Sequence, residues 1–208
     1  MMFSAIIQKV KSNSAQKQRV LSLMMHPVKT RPRRWLRCLQ FLYMKKGRKS
    51  VIYRSVRKDI VPFNRFIMGD YSVIEDYAII NNAVGDIVIG KDTRIGLGNT
   101  LIGPVRIGDN VHLAQNVVIS GLNHRYQDIE KTISEQGIET KEVIIENDVW
   151  IAANSTILAG VHIGEHVVIG AGSVVTKNIS SHCVAVGNPA RVVKKFDIDK
   201  KQWIRVNR

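Results

Sequence analysis

Cysteine is almost absent from this 208-residue chain: Cys38 and Cys183 are the only two. They are too few and too far apart for a disulfide framework, which excludes the small stapled scaffolds and fits a reducing compartment. Long apolar runs are also missing. No span approaches the roughly 20 apolar residues of a membrane helix, and the opening MMFSAIIQKVKSN meets Lys9 before a secretory apolar region develops. A cytoplasmic protein is the expectation, with the inner face of the membrane as a further location. Acid is scarce in one place only. Of 31 Lys+Arg and 17 Asp+Glu, residues 1–65 hold 17 basic residues and a single acid, Asp59, a net of +16, while the remainder nets −2. The overall charge of +14 therefore belongs to the N-terminal third and says little about the rest. At 45% hydrophobic residues the chain can bury one main core.

What is present is a repeat. From Ile89 an aliphatic residue recurs at every sixth position, through Ile95, Leu101, Ile107, Leu113 and Ile119, and again through Ile145, Ile151, Ile157, Ile163, Ile169 and Val175. Four residues later stands a small or β-branched residue in most cases, among them Thr93, Val111, Val117, Val149, Ser155, Val167 and Ser173. Glycine follows the aliphatic in IGKDTR, IGLGNT, IGDNVH, IGEHVV and IGAGSV. Each hexad reads as a short strand and a corner, with Gly or Asn where the backbone turns sharply. The hexapeptide repeat that this pattern resembles winds three hexads into one coil, and coils stack about 4.8 Å apart, so that several are needed to bury the inward side chains. A weaker triplet, Ile67, Val73 and Ile79, supplies a further coil, offset by a four-residue insertion, for about five in all. A sandwich of short strands has no such fixed period.

This pattern resembles the hexapeptide repeat, and the resemblance implies an all-β solenoid, a left-handed parallel β-helix. Its expected limits are 66–190, after a basic and partly helical segment 1–65 and before a tail 191–208. The repeat breaks after VVISGLNH. Residues 125–144 form an insertion before Ile145 restarts it, and long insertions in a solenoid are more often functional than idle. His124 stands at the base.

The segments ISGLNHRYQD, VIIENDVWIAANSTILAGVHIGEHVVIGAGSVVTKNI and VAVGNPARVVKKF resemble the sugar O-acetyltransferase branch of the hexapeptide acyltransferases, over residues 62–196. That resemblance implies acetyl-CoA as co-substrate, a sugar or glycan acceptor, a homotrimer with acetyl-CoA between neighbouring prisms, and His124 as the base. The chemistry asks for such a group: an imidazole near its ordinary pKa of ~6.5 can take the proton of a sugar hydroxyl as the oxygen attacks the thioester. The resemblance also implies that Trp150 lies beside the pantetheine arm, that Ala171, Thr176 and Lys177 line the CoA channel, and that Arg191 lies near its nucleotide end. Basic residues suit the phosphates of CoA. Ala152 departs from the family's usual glycine in WIG. Direct transfer in a ternary complex is expected, since Cys183 is far along the chain from the insertion. Alternatives are N-acetylation of an amino sugar and a non-catalytic or zinc-binding prism resembling γ-type carbonic anhydrases, with His112, His124 and His162 as ligands. No metal is expected.

The basic third has two compatible readings. RRWLRCLQFLYMKK suits a short helix after Pro32, either capping the first coil or lying on anionic lipid, so that residues 1–58 would give peripheral membrane association. Nucleic acid is disfavoured, because no helix-turn-helix, zinc or RNA-binding signature accompanies the charge.

Overall fold

In the computed structural model, which describes residues 19, 20, 22–26 and 31–206, the hexads wind into a parallel β-solenoid with three walls. Wall I stacks Met44–Lys46, Phe66–Met68, Ile87–Ile89, Val105–Ile107, Val143–Ile145 and His162–Ile163. Wall II stacks Val51–Ile52, Val73–Ile74, Arg94–Ile95, His112–Leu113, Trp150–Ile151 and Val168–Ile169, followed by Cys183–Val186. Wall III stacks Arg57–Asp59, Ile79–Asn81, Thr100–Ile102, Val118–Ser120, Thr156–Ile157 and Val174–Val175. One strand from each wall makes a coil, and the described residues form six coils.

The period is strict because side chains alternate across each strand. Ile74, Ile95, Leu113, Ile151 and Ile169 stack in register down wall II, each at most 2% exposed. Each such side chain contributes about 1.5–3 kcal/mol by leaving water. The coil count and one frame differ from the sequence reading. Met68, Ile74 and Ile80 are the inward residues of the second coil, whereas Ile67, Val73 and Ile79 are only half-buried on its outer surface. A one-residue slip exchanges the two faces of a strand. The irregularity lies after Ile80, where buried Asn82 accepts from the backbone N–H of Val61 and donates to the carbonyls of Val61 and Asn64.

The additional coil comes from residues expected to belong to the basic segment. Lys46, Ile52 and Lys58 pair with Met68, Ile74 and Ile80, so the inward positions of the first coil read Lys, Ile, Lys. At an open end those positions meet a core on one side only, and the aliphatic signal fades. Ahead of this coil, helix α1 (Arg34–Cys38) and a 3-10 turn at Gln40–Leu42 lie across it. Gln40 Nε2 donates to the carbonyls of Lys58 and Ile60, and the Tyr43 hydroxyl donates to those of Leu36 and Ile60. Leu36, Val61 and Phe63 form a small satellite core.

Two corners of most coils are turned by a left-handed residue. Asp92, Asn110, Asn116, Asp148, Asn154, Gly98 and Gly172 take this role, as do Tyr71, Tyr77 and His166, all with φ between 52° and 70°. Asn, Asp and Gly tolerate that region, and the tyrosines and His166 do not advertise it. At the far end the expected tail is structured: Arg191–Asp197 runs antiparallel to Cys183–Val186 and pairs with Gln202–Arg205.

Candidate functional site

The third corner of the fourth coil opens into an arm. Gly121 leaves the wall; Leu122–His124 pairs antiparallel with Ile138–Thr140, and Lys141 N–H returns to the carbonyl of Gly121. The arm is ordered by its own polar chemistry. Helix α2 (Ile133–Gln136) starts with a capping box, in which Glu135 accepts from the backbone N–H and the hydroxyl of Thr132. Those donors hold the Glu135 carboxyl below its ordinary pKa. Gln136 ties the helix back to the carbonyls of Asp128 and Lys131. The insertion called a loop in sequence is therefore a hairpin with a helical tip, and it begins at Leu122 rather than 125.

His124 sits at the base of this hairpin, opposite Ile138. It is exposed, and among the described residues its ring has no hydrogen-bond or ionic partner. Of the acids near it in the chain, Asp128 pairs with Lys131 at 2.6 Å and accepts from the Glu130 N–H. Glu142, where the chain rejoins the repeat, pairs with Arg106 at 3.2 Å. The imidazole is thus free to meet a proton donor from outside the chain.

The remaining site residues fall in two groups on one prism. Trp150 projects from wall II in the fifth coil, 53% exposed, between His112 and Val168 of the adjacent coils. Ala171 lies at the next corner of the sixth coil, beside Gly172, whose N–H bonds the carbonyl of Ala153. Arg191 opens the C-terminal hairpin opposite Val186, past the turn at Asn188 and Pro189. Thr176 and Lys177 lie across wall III from these, just after Val174–Val175, at the third corner of the sixth coil. That is the edge from which the arm departs two coils earlier. Thr176 and Lys177 share with the arm the edge at the end of wall III, whereas Trp150 stands on wall II, Ala171 at the corner between walls II and III and Arg191 on the strand paired beyond wall II, so that wall III separates the two sets. Ala152 continues the wall II ladder, its N–H bonding the Ile169 carbonyl.

The histidines proposed as metal ligands do not converge within the chain. His112 is on wall II, His124 on the arm and His162 on wall I, and no group of three or more His, Cys, Asp or Glu suited to a metal occurs among the described residues. His162 and His124 do not share a face: His162 Nε2 contacts Glu146 at 2.7 Å. His166 Nδ1 is hydrogen-bonded to Asp148, and its ring stacks near His182 and Trp203. These histidine–carboxylate pairs escaped the sequence reading. Their signal is a spacing near one coil, 16 residues for Glu146 and His162 and 18 for Asp148 and His166, which stacks residues remote in the chain.

Comparison with known proteins matches this division. The family model of the bacterial transferase hexapeptide (six repeats) covers residues 86–121 and 142–177, the two runs flanking the arm. The chain is 36% identical over 124 residues to the galactoside O-acetyltransferase of Escherichia coli (strain K12), spanning 58% of this chain and 60% of that protein. It superposes on a maltose O-acetyltransferase from Clostridium difficile 630 with a TM-score of 0.55 at 26% identity, covering 92% of this chain and 89% of the other. It also superposes on AntD, an N-acyltransferase from Bacillus cereus solved with dTDP-4-amino-4,6-dideoxyglucose and coenzyme A, with a TM-score of 0.63 at 21% identity over 76% of this chain and 87% of that one. This last likeness concerns the fold alone.

Proposed function

We propose, from the match of residues 86–121 and 142–177 to the bacterial transferase hexapeptide model and the likeness to galactoside and maltose O-acetyltransferases, that the chain is a hexapeptide-repeat transferase that moves an acetyl group from acetyl-CoA to a hydroxyl of a sugar or glycan. The observation that carries this reading is the exposed His124, without a polar partner among the described residues, on an ordered arm inserted between two runs of the repeat. Its neutral imidazole takes the hydroxyl proton while the oxygen attacks the thioester carbonyl. The tetrahedral oxyanion then collapses, the C–S bond breaks, and the imidazolium returns the proton to the departing thiolate. No acyl-enzyme is required. Cys183 is buried, and that burial pushes its thiol above the ordinary range, away from nucleophilic duty.

The separation of the two sets by wall III gives a reason for assembly. Side by side, two prisms bring the arm, Thr176 and Lys177 of one copy toward Trp150, Ala171 and Arg191 of the next, and a homotrimer repeats that cleft three times. CoA in the cleft would meet Trp150 along its pantetheine arm and the cations of Lys177 and Arg191 at its phosphates. The acceptor class follows from the galactoside and maltose acetyltransferase relatives. The test is thiol release from acetyl-CoA against a panel of free sugars and lipid-linked oligosaccharides. His124→Ala is expected to lower turnover about 10²–10⁴-fold with the fold intact; equal turnover defeats the assignment.

A further inference from the structure

The open N-terminal end of the prism is a surface that the proposed chemistry does not use. The inward positions of its first coil are Lys46, Ile52 and Lys58, and the cap above them adds Arg34, Arg37 and Phe41. Two adjoining shallow grooves run across this end and share Gln40 and Lys58; one is lined by Arg34 and Arg37, the other by Phe41, Lys46 and Ile52. Phe41 is 73% and Leu42 69% exposed. Large apolar side chains standing among cations on a surface call for a partner with both characters.

The charge at this end is unbalanced by construction. Residues 31–58 contain 11 Lys and Arg and no acid. Asp59 is buried and already held by Arg57 at 2.6 Å and Arg31 at 3.4 Å. Arg48 is paired to Asp70. Arg34, Arg37, Lys45, Lys46, Arg54 and Lys58 have no acidic partner among the described residues. The Lys58 ammonium is held below its ordinary pKa, first by burial and then by the repulsion of Arg37 and Lys46. Its neighbours therefore leave it short of an anion.

We propose that this end of the solenoid docks on an anionic lipid bilayer, with Phe41 and Leu42 entering the interface and Arg34, Arg37, Lys46 and Lys58 facing the headgroup phosphates. Cations near an anionic leaflet bind in proportion to their number, and aromatic or aliphatic side chains at the boundary anchor the contact. No described helix is long and apolar enough to cross a membrane, so the contact is peripheral. The coil that carries the arm is the fourth, three inter-strand spacings or about 14 Å beyond the first coil, on which the docked cap lies. Resting on the proposed activity, that places His124 within reach of sugars close to the bilayer.

The experiment is co-sedimentation of the full chain with phosphatidylcholine vesicles with and without phosphatidylglycerol. Binding is expected only with phosphatidylglycerol and is expected to weaken as salt rises. R34Q/R37Q should lower partition by roughly 25-fold, about five-fold per charge, and F41S/L42S should lower it as well, with urea midpoints unchanged because all four side chains are exposed. Wild-type Cys38, exposed and lining the Arg34 groove, should be shielded from a water-soluble maleimide by the same vesicles, a readout that needs no variant. Absence of binding, equal binding to neutral vesicles, binding unchanged in both double variants, or full displacement by duplex DNA with vesicles unable to compete in return overturns the proposal.

Discussion

Replacing Ile151 with alanine tests the frame of the prism against its own end. Ile151 is fully buried in the fifth coil, stacked on Leu113 below and Ile169 above. The substitution removes three carbons, about 2.4 kcal/mol at ~0.8 kcal/mol per methylene. Backbone ladders on both sides hold the neighbouring coils apart, so the void cannot collapse, and the total loss should reach about 3–5 kcal/mol. Ile52 occupies the same column in the first coil, stacks on Ile74 alone and is half-exposed. Its replacement should cost about 1–2 kcal/mol, since part of the side chain is already in water. Urea unfolding of both variants and the wild type, with a common slope, measures the difference. Equal losses, or a loss below about 1.5 kcal/mol at Ile151, would refute the inward assignment and the reasoning that the ladder prevents relaxation.

Other outcomes follow from single groups. Burial pushes the Tyr43 phenol from 10.0 up to about 12; because the folded pKa is raised, its stabilising effect is complete below pH 10 and is lost as pH rises through about 12. Tyr43→Phe should flatten that alkaline loss, read by circular dichroism against pH. Cys38 should react with a maleimide in the native protein and Cys183 only after denaturant is added, since one is exposed and the other buried with a raised pKa; equal rates contradict the packing of Cys183–Val186. Tyr77, with φ 60° and 71% exposed, should gain about 0.5 kcal/mol when replaced by Asn, which tolerates left-handed backbone better; a thermal scan decides it.

The repeat was legible because burial in a stacked solenoid repeats at a fixed interval: wherever a coil had neighbours on both sides, its aliphatic column appeared, from Ile89 to Ile119 and from Ile145 to Val175. The signal failed where that condition failed. In the first coil Lys46 and Lys58 occupy inward positions, so no hexad is visible, and in the second Ile67, Val73 and Ile79 imitate the pattern one residue out of step with Met68, Ile74 and Ile80. The arm was located by the interruption, but its hairpin pairing was not, because Leu122–His124 and Ile138–Thr140 carry no alternating pattern of their own. The capping box of α2, by contrast, was present as Thr132 and Glu135 and went unread. His124 was reached through its place at the exit of the repeat and through the family resemblance.

By itself the sequence determined that this protein is a stack of repeated hexads, since an aliphatic side chain at every sixth position marks one buried position per strand and corner; that three hexads close each coil is what the family resemblance implies and the three walls display. The same sequence determined that the charge would gather at one end. Only the tertiary structure decided what shares a surface: that Trp150, Ala171 and Arg191 stand on one side of wall III and Thr176, Lys177 and the arm on the other, and that Lys46, Lys58, Arg37 and Phe41 meet at the open end. Residues 18 apart in the chain lie one strand spacing apart in the solenoid, and that proximity is set by where each corner turns, which no local pattern records.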